Sequence, residues 1–192
     1  MKTNGKFKLI VIGVSSGGIQ ALNSILKRLP QDFPLPIMIV QHISANADDG
    51  LSLHLNSKSA LCVSEGKDGE IIIPGHVYVA PANYHMLVGP NMRIELSADP
   101  PLHFARPSID ILFESAADVF GAECIGIILT GANDDGTAGL FKIHKRGGTT
   151  IVQDPASAEV AIMPQSAISA VKVDHIVTLE IIPTLLTGLV SR

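Results

Sequence analysis

The sequence predicts an α/β fold: a doubly wound, mostly parallel sheet flanked by helices in three layers, with a small antiparallel hairpin extension. Three observations lead to it. Short apolar runs rich in Val, Ile and Leu recur along the chain and are continuous rather than alternating, as strands covered on both faces are. Stretches with apolar residues at helical spacing separate them, the arrangement of right-handed crossover units. The 192 residues, 46% of them hydrophobic, bury one sizeable core without a compositional shift that would mark a linker, so residues 1–192 read as one domain.

Taken in order, LIVIG from Leu9 is the first strand, ending at Ser15, Ser16, Gly17 and Gly18; Ile19 to Leu29 has helical spacing and forms the first helix. Pro30, Pro34 and Pro36 stiffen the connection to a second strand, Ile37 to Val40, which ends in Gln41 and His42. A polar loop, Ser44 to Gly50, precedes a short helix, Leu51 to Asn56, and a short strand, Leu61 to Ser64. Ile71–Ile73, His76–Ala80, His85–Val88 and Arg93–Leu96 are separated by Pro-Gly, Pro-Ala-Asn and Gly-Pro-Asn, so they read as short strands in antiparallel hairpins. Ser108 to Phe120 follows Pro107 and places Ile109, Leu112, Phe113, Ala116 and Phe120 on one face of a helix. Ile125 to Leu129 is a third buried strand, followed by the cluster Gly131 to Gly136 and a helix from Thr137 to Lys145 that stops at Gly147 and Gly148. Thr149–Gln153 is a further strand, Met163–Val171 a short helix, His175–Val177 a last strand, and Ile181–Val190 a closing helix with Pro183 in its first turn.

Composition narrows the function. A net charge of -4, no Trp, two Tyr and no Lys/Arg run argue against nucleic acid as a partner. The five-residue apolar core near the N-terminus is too short for a signal peptide, and no run approaches the ~20 residues of a membrane span, so the expected location is the cytoplasm. Cys62 and Cys124 form no CxxC pair and read as buried free thiols. No two histidines fall at ligand spacing, so no metal or cofactor is expected.

In a parallel sheet every loop after a strand emerges at the same edge, which is where sites form. Three runs end there in reactive side chains: Ser15 and Ser16, then Gln41 and His42, then Asn133, Asp134 and Asp135. A hydroxyl, an imidazole and a carboxylate are what nucleophilic acyl transfer needs. Each also has a plain structural role: either serine as cap of the first helix, His42 as an ordinary strand-end residue, Asp134 or Asp135 as cap of the helix after Gly136. Gly13, Ser15 and Gly17 fit GxSxG, but the strands that precede a hydrolase elbow are missing and the order Ser, His, Asp differs from that fold's. A dinucleotide site requires GxGxxG with an acidic residue after the second strand; the chain has GVSSGG, with Gln41 and His42 there.

The motifs IGVSSGG, IVQH, HVYVAPANYHM, RPSIDILFESAA, ILTGANDDGTAGL and the MP of AIMPQSAI, in this order, resemble the catalytic domain of the bacterial chemotaxis protein-glutamate methylesterase/deamidase (CheB) family. The resemblance implies a catalytic triad of Ser15, His42 and Asp135, hydrolysis of γ-glutamyl methyl esters on methyl-accepting receptors with release of methanol, and often glutamine deamidation. It further implies an oxyanion site at backbone N–H groups near Ser16 and Ala132, where the family's usual Thr and Met stand. Arg106 would either attract acidic receptor helices or pack the chain before Pro107. The family usually carries an N-terminal receiver domain, whereas this chain starts a few residues before its first strand; a stand-alone esterase, served by a separate receiver or other signalling protein, and a fragment are both open. A serine esterase for small acyl esters and a silent receptor-binding module are the rival functions. A neutral imidazole as base implies a rate that rises with pH around ~6.5 to 7.

Overall fold

The computed structural model describes residues 6–43, 48–102 and 104–191. Seven strands form one parallel sheet in the order β3-β4-β2-β1-β7-β8-β9: β1 (Leu9–Val14), β2 (Ile37–Gln41), β3 (Cys62–Glu65), β4 (His76–Val79), β7 (Cys124–Ile128), β8 (Thr149–Gln153) and β9 (His175–Val177). A separate antiparallel pair, β5 (His85–Gly89) and β6 (Arg93–Ser97), packs against the longest helix. The helices are α1 (Gly18–Leu26), α2 (Gly50–Asn56), α3 (Ile109–Phe120), α4 (Thr137–Lys145), α5 (Ile162–Ala170) and α6 (Ile182–Val190). Among the described residues no helix is long and apolar enough to cross a membrane.

Burial on both faces explains the continuous apolar strands. Along β1, Ile10, Ile12 and Val14 enter a core shared with α1 and α6, while Leu9 and Val11 enter a second core built on α3, α4 and α5. Side chains alternate across a strand, so a strand covered on both sides is apolar at every position. The sheet winds outward from β1 in both directions, first to β2 and later to β7, so its switch point lies at the carboxyl ends of β1, β2 and β7.

Three expectations need correction. His76–Ala80 is not part of a hairpin: β4 pairs in parallel with β2 and β3, with Val77 and Val79 in one core and Tyr78 in the other. The turn residues around it punctuate a crossover, and its two-sided burial is the mark of a sheet strand. Ile71–Ile73 is no strand; it makes one bridge, Ile71 to Arg93, and the Tyr78 hydroxyl donates to the Ile71 carbonyl and accepts the Ile73 N–H. Cys62 is exposed at the sheet edge, because β3 has a neighbour on one side only; Cys124 is buried, which pushes its thiol pKa well up. Of the polar loop after His42, residues 44–47 lie outside the described residues.

Candidate active site

The nucleophile turn is built from both sides of the switch point. Ser15 follows β1, its N–H donates to the Thr130 carbonyl at 3.0 Å beyond β7, and its carbonyl accepts the Gly18 N–H at 2.9 Å. Gly17 sits in the left-handed region at φ 78°, which lets the chain reverse directly into α1. Gly17, not a serine, is the N-cap, and no side chain caps α1. Ser15 is half-buried and Ser16 exposed, ahead of the positive end of that helix. Gln41 at the end of β2 joins this turn to the next: its Nε2 donates to the Ser15 carbonyl at 2.9 Å and to the His42 carbonyl at 3.0 Å.

His42 and Asp135 meet. Nε2 of His42 lies 2.8 Å from Oδ2 of Asp135, with the histidine side chain 15% exposed and the carboxylate fully buried. Asp135 also takes the hydrogen bonds that open α3. Its Oδ1 accepts the Ser108 hydroxyl at 2.9 Å and the Asp110 N–H at 3.0 Å, and Oδ2 accepts the Ile109 N–H at 2.7 Å. The carboxylate therefore caps, from 27 residues away, a helix whose own N-cap Ser108 makes no capping bond. This approach requires a glycine in β1, because a methyl group on Gly13 would overlap Ile109 Cγ2. Burial alone pushes the Asp135 pKa up, but the hydrogen bonds from His42, Asp110 and Ile109 and the nearby imidazole outweigh it and hold the carboxyl below its ordinary value.

Beside it, Asp110 is 4% exposed and its Oδ1 accepts the Gly139 N–H at 2.7 Å near the start of α4. Burial, and after it the neighbouring Asp135 and Glu114 charges, raise its pKa to about 6 against the relief from the Gly139 and Gly136 amides. Asp134, the other candidate acid, is exposed, and its backbone carbonyl accepts the Thr137 N–H; the N-cap of α4 is Gly136.

Ser15, Ser16, Gly17, Gly18 and His42 line a cavity of ≈ 320 Å³ with Gln41 and Glu159, and a second cavity of ≈ 350 Å³ joins His42 to Asn133, Asn83, Phe104 and Arg106. The structure thus brings Ser15, Ser16 and His42 to one cleft, with Asp135 buried behind the imidazole. Ala132 is exposed in the loop that follows β7. Among the described residues, the Ser16 and Ala132 N–H groups have no protein acceptor. Arg106 lies in the wall of the second cavity, where Nε and Nη2 donate to Asn83 Oδ1 and Nη1 donates to the Ala98 and Asp99 carbonyls. Its guanidinium ties the segments of Asn83 and of Ala98 and Asp99 to the chain before Pro107. Among the described residues no group of three His, Cys, Asp or Glu is placed to hold a metal ion.

Sequence reasoning missed Ser108 and Asp110 as parts of the site, and it placed Gln41 and Asn133 at the edge without giving either a role. Pro107 and Ser108 signal a helix start, but nothing local tells that the Ile109 and Asp110 amides face a residue 26 and 25 positions downstream. Asn133 completes the surroundings of the imidazole: its Nδ2 lies 3.4 Å from His42 Nδ1 and its Oδ1 accepts the Asp135 N–H at 3.3 Å.

Comparison with known proteins gives a uniform result. A family model described as CheB methylesterase matches residues 10–186. A "Putative protein-glutamate methylesterase/protein-glutamine glutaminase" of Leptospira interrogans is 48% identical over 91% of this chain and 90% of its own length. A "Protein-glutamate methylesterase FrzG" of Myxococcus xanthus is 45% identical over 84% of this chain, which spans 48% of that protein. The crystal structure of the Thermotoga maritima CheB methylesterase catalytic domain superposes with a TM-score of 0.92 at 36% identity, covering 95% of this chain and 98% of that one.

Proposed function

The chain belongs to the CheB methylesterase family, and from that premise we propose that it hydrolyses γ-glutamyl methyl esters on methyl-accepting chemotaxis receptors and deamidates receptor glutamines, with Ser15, His42 and Asp135 as its triad. The observation that carries the residue assignment is the His42–Asp135 pair at 2.8 Å in the cleft that Ser15 lines.

With Nε2–H donated to the Asp135 carboxylate, Nδ1 of His42 is the basic nitrogen. The Ser15 Oγ attacks the ester carbonyl while its proton passes to Nδ1, and the N–H groups of Ser16 and Ala132, with the positive end of α1, stabilise the oxyanion. Collapse of the tetrahedral intermediate breaks the bond to methoxide, which leaves as methanol with the proton from Nδ1. Water then attacks the acyl-enzyme, its proton taken by Nδ1, and release returns Ser15 and a free glutamate carboxylate. With a glutamine substrate the same steps expel ammonia. Asp135 stabilises the imidazolium as it forms and is kept ionised for that task by its donors.

The test is methanol release from a methylated receptor cytoplasmic fragment, with labelling of the chain by a fluorophosphonate probe. Both are expected in the wild type and lost in Ser15→Ala. Release that persists in Ser15→Ala would overturn the nucleophile assignment, and activity on small esters without any on the receptor fragment would overturn the substrate.

A further inference from the structure

Resting on the reading of His42 as general base, we propose that Asn133 is a positioning residue for that base: its carboxamide reinforces the ring tautomer that Asp135 sets and occupies Nδ1 until Ser15 displaces it. The orientation of the amide is set independently of the ring, because Oδ1 accepts the Asp135 N–H at 3.3 Å. The end that faces His42 Nδ1 at 3.4 Å is therefore Nδ2, which only donates. Nδ1 meets it with a lone pair. On the other side of the ring, Asp135 accepts from all four of its partners, so Nε2 carries the proton. Both neighbours specify the same tautomer, the one with Nδ1 free of a proton.

An imidazole nitrogen has one lone pair in the ring plane, so Asn133 and the Ser15 hydroxyl compete for it. At 3.4 Å the amide bond is long and weak, and an O–H donor at its usual ~2.8 Å displaces it. Once Nδ1 takes the Ser15 proton, Asn133 Nδ2 becomes a donor facing a donor and the amide has to turn away. Asn133 therefore favours the neutral ring and holds the base in check between turnovers. The charged groups around the ring are Asp135 at Nε2, Asp134 in the same loop, Glu159 in the wall of one cavity, Arg106 in the wall of the other, and Asp110 behind Asp135. Substitution of Asn133 leaves all of them in place.

The experiment compares the full chain with Asn133→Ala and Asn133→Asp, reading the pH profile of methanol release and, independently of activity, the imidazole proton positions by 15N NMR. In Asn133→Ala the acid limb of the profile moves up by about 0.4 pH unit, the equivalent of one weak hydrogen bond to the neutral ring. Asn133→Asp keeps an acceptor for the Asp135 N–H but turns an acceptor toward Nδ1. The NMR signature then shows both ring nitrogens protonated at neutral pH, and activity at pH 7 falls by at least ~10-fold. A purely structural role predicts the reverse order, Asp like wild type and Ala impaired. That order, or spectra and profiles unchanged in both variants, overturns the proposal. A wild-type chain without methanol release refutes the esterase reading, while the NMR comparison still decides the role of Asn133.

Discussion

Replacing Asp135 by Asn exchanges one oxygen for an NH2 group in a pocket whose four contacts are all donors. Oδ2 faces the His42 ring and the Ile109 amide, and Oδ1 faces the Ser108 hydroxyl and the Asp110 amide. Either orientation of the new amide sets its NH2 against a backbone N–H that cannot turn away. Placing it on the Ser108 side is the less costly choice, since a hydroxyl can reverse and accept, and the Asp110 contact, at 3.0 Å, is longer than the 2.7 Å Ile109 contact. One orphaned amide and the loss of charge-assisted bonds cost about 2 to 3 kcal/mol, a fall in Tm of roughly 4 to 12 °C for a chain of this size. Activity suffers separately, because the imidazolium loses its counter-charge; kcat/KM for methanol release is expected to drop about 10² to 10⁴-fold. The sign with pH follows from the depressed Asp135 pKa: its contribution to stability is present above the ordinary carboxylate value and is lost as pH falls through the lower folded value. The Tm gap between wild type and variant is thus widest at neutral pH and closes in strong acid. Asp134→Asn is the control, with Tm and kcat/KM nearly unchanged because that side chain is exposed. A larger loss of activity at Asp134, or an Asp135→Asn enzyme as stable and active as wild type, would refute the reasoning.

Two further outcomes follow from the same neighbourhood. Asp110 has its pKa raised from 3.8 to about 6, so its favourable contribution is complete below the unfolded value and is lost as pH rises through about 6; Asp110→Asn, which keeps an acceptor for the Gly139 N–H, is expected to flatten that decline and gain up to ~3 kcal/mol relative to wild type between pH 4 and 8 in urea titrations. A variant whose stability falls with pH as steeply as wild type counts against it. Ser108→Ala removes one donor to Asp135 from a fully buried position and should cost about 1 to 2 kcal/mol by denaturant titration with a several-fold loss of methanol release; an unchanged rate would mean the carboxylate is held by the two amides alone.

The parallel core was legible because burial on both faces leaves a local imprint. LIVIG, IMIV and GIILT are apolar without alternation, and the turns after them carry Ser15, His42 and Asp135. Strand direction then puts those turns at one edge whatever the details of packing. The hairpin region was harder. Turn residues around β4 look the same whether the strand pairs antiparallel with its sequence neighbour or in parallel with β2 and β3, and only the contacts of Val77, Tyr78 and Val79 distinguish the two.

The sequence by itself determined the fold class, the edge at which the chemistry gathers, and the residue types available there. Tertiary structure decided what surrounds each of them. Asp135 is the acid that faces the ring because α3 brings the unpaired amides of Ile109 and Asp110 to it, while Asp134 next to it turns to solvent. The ring nitrogen left without the carboxylate is Nδ1 because Nε2 is taken by Asp135, and Asn133 reaches Nδ1 because its own oxygen is fixed on the Asp135 amide. These are contacts between segments up to 93 residues apart, and hydrogen bonds are set by distance and angle in space, which spacing along the chain does not encode.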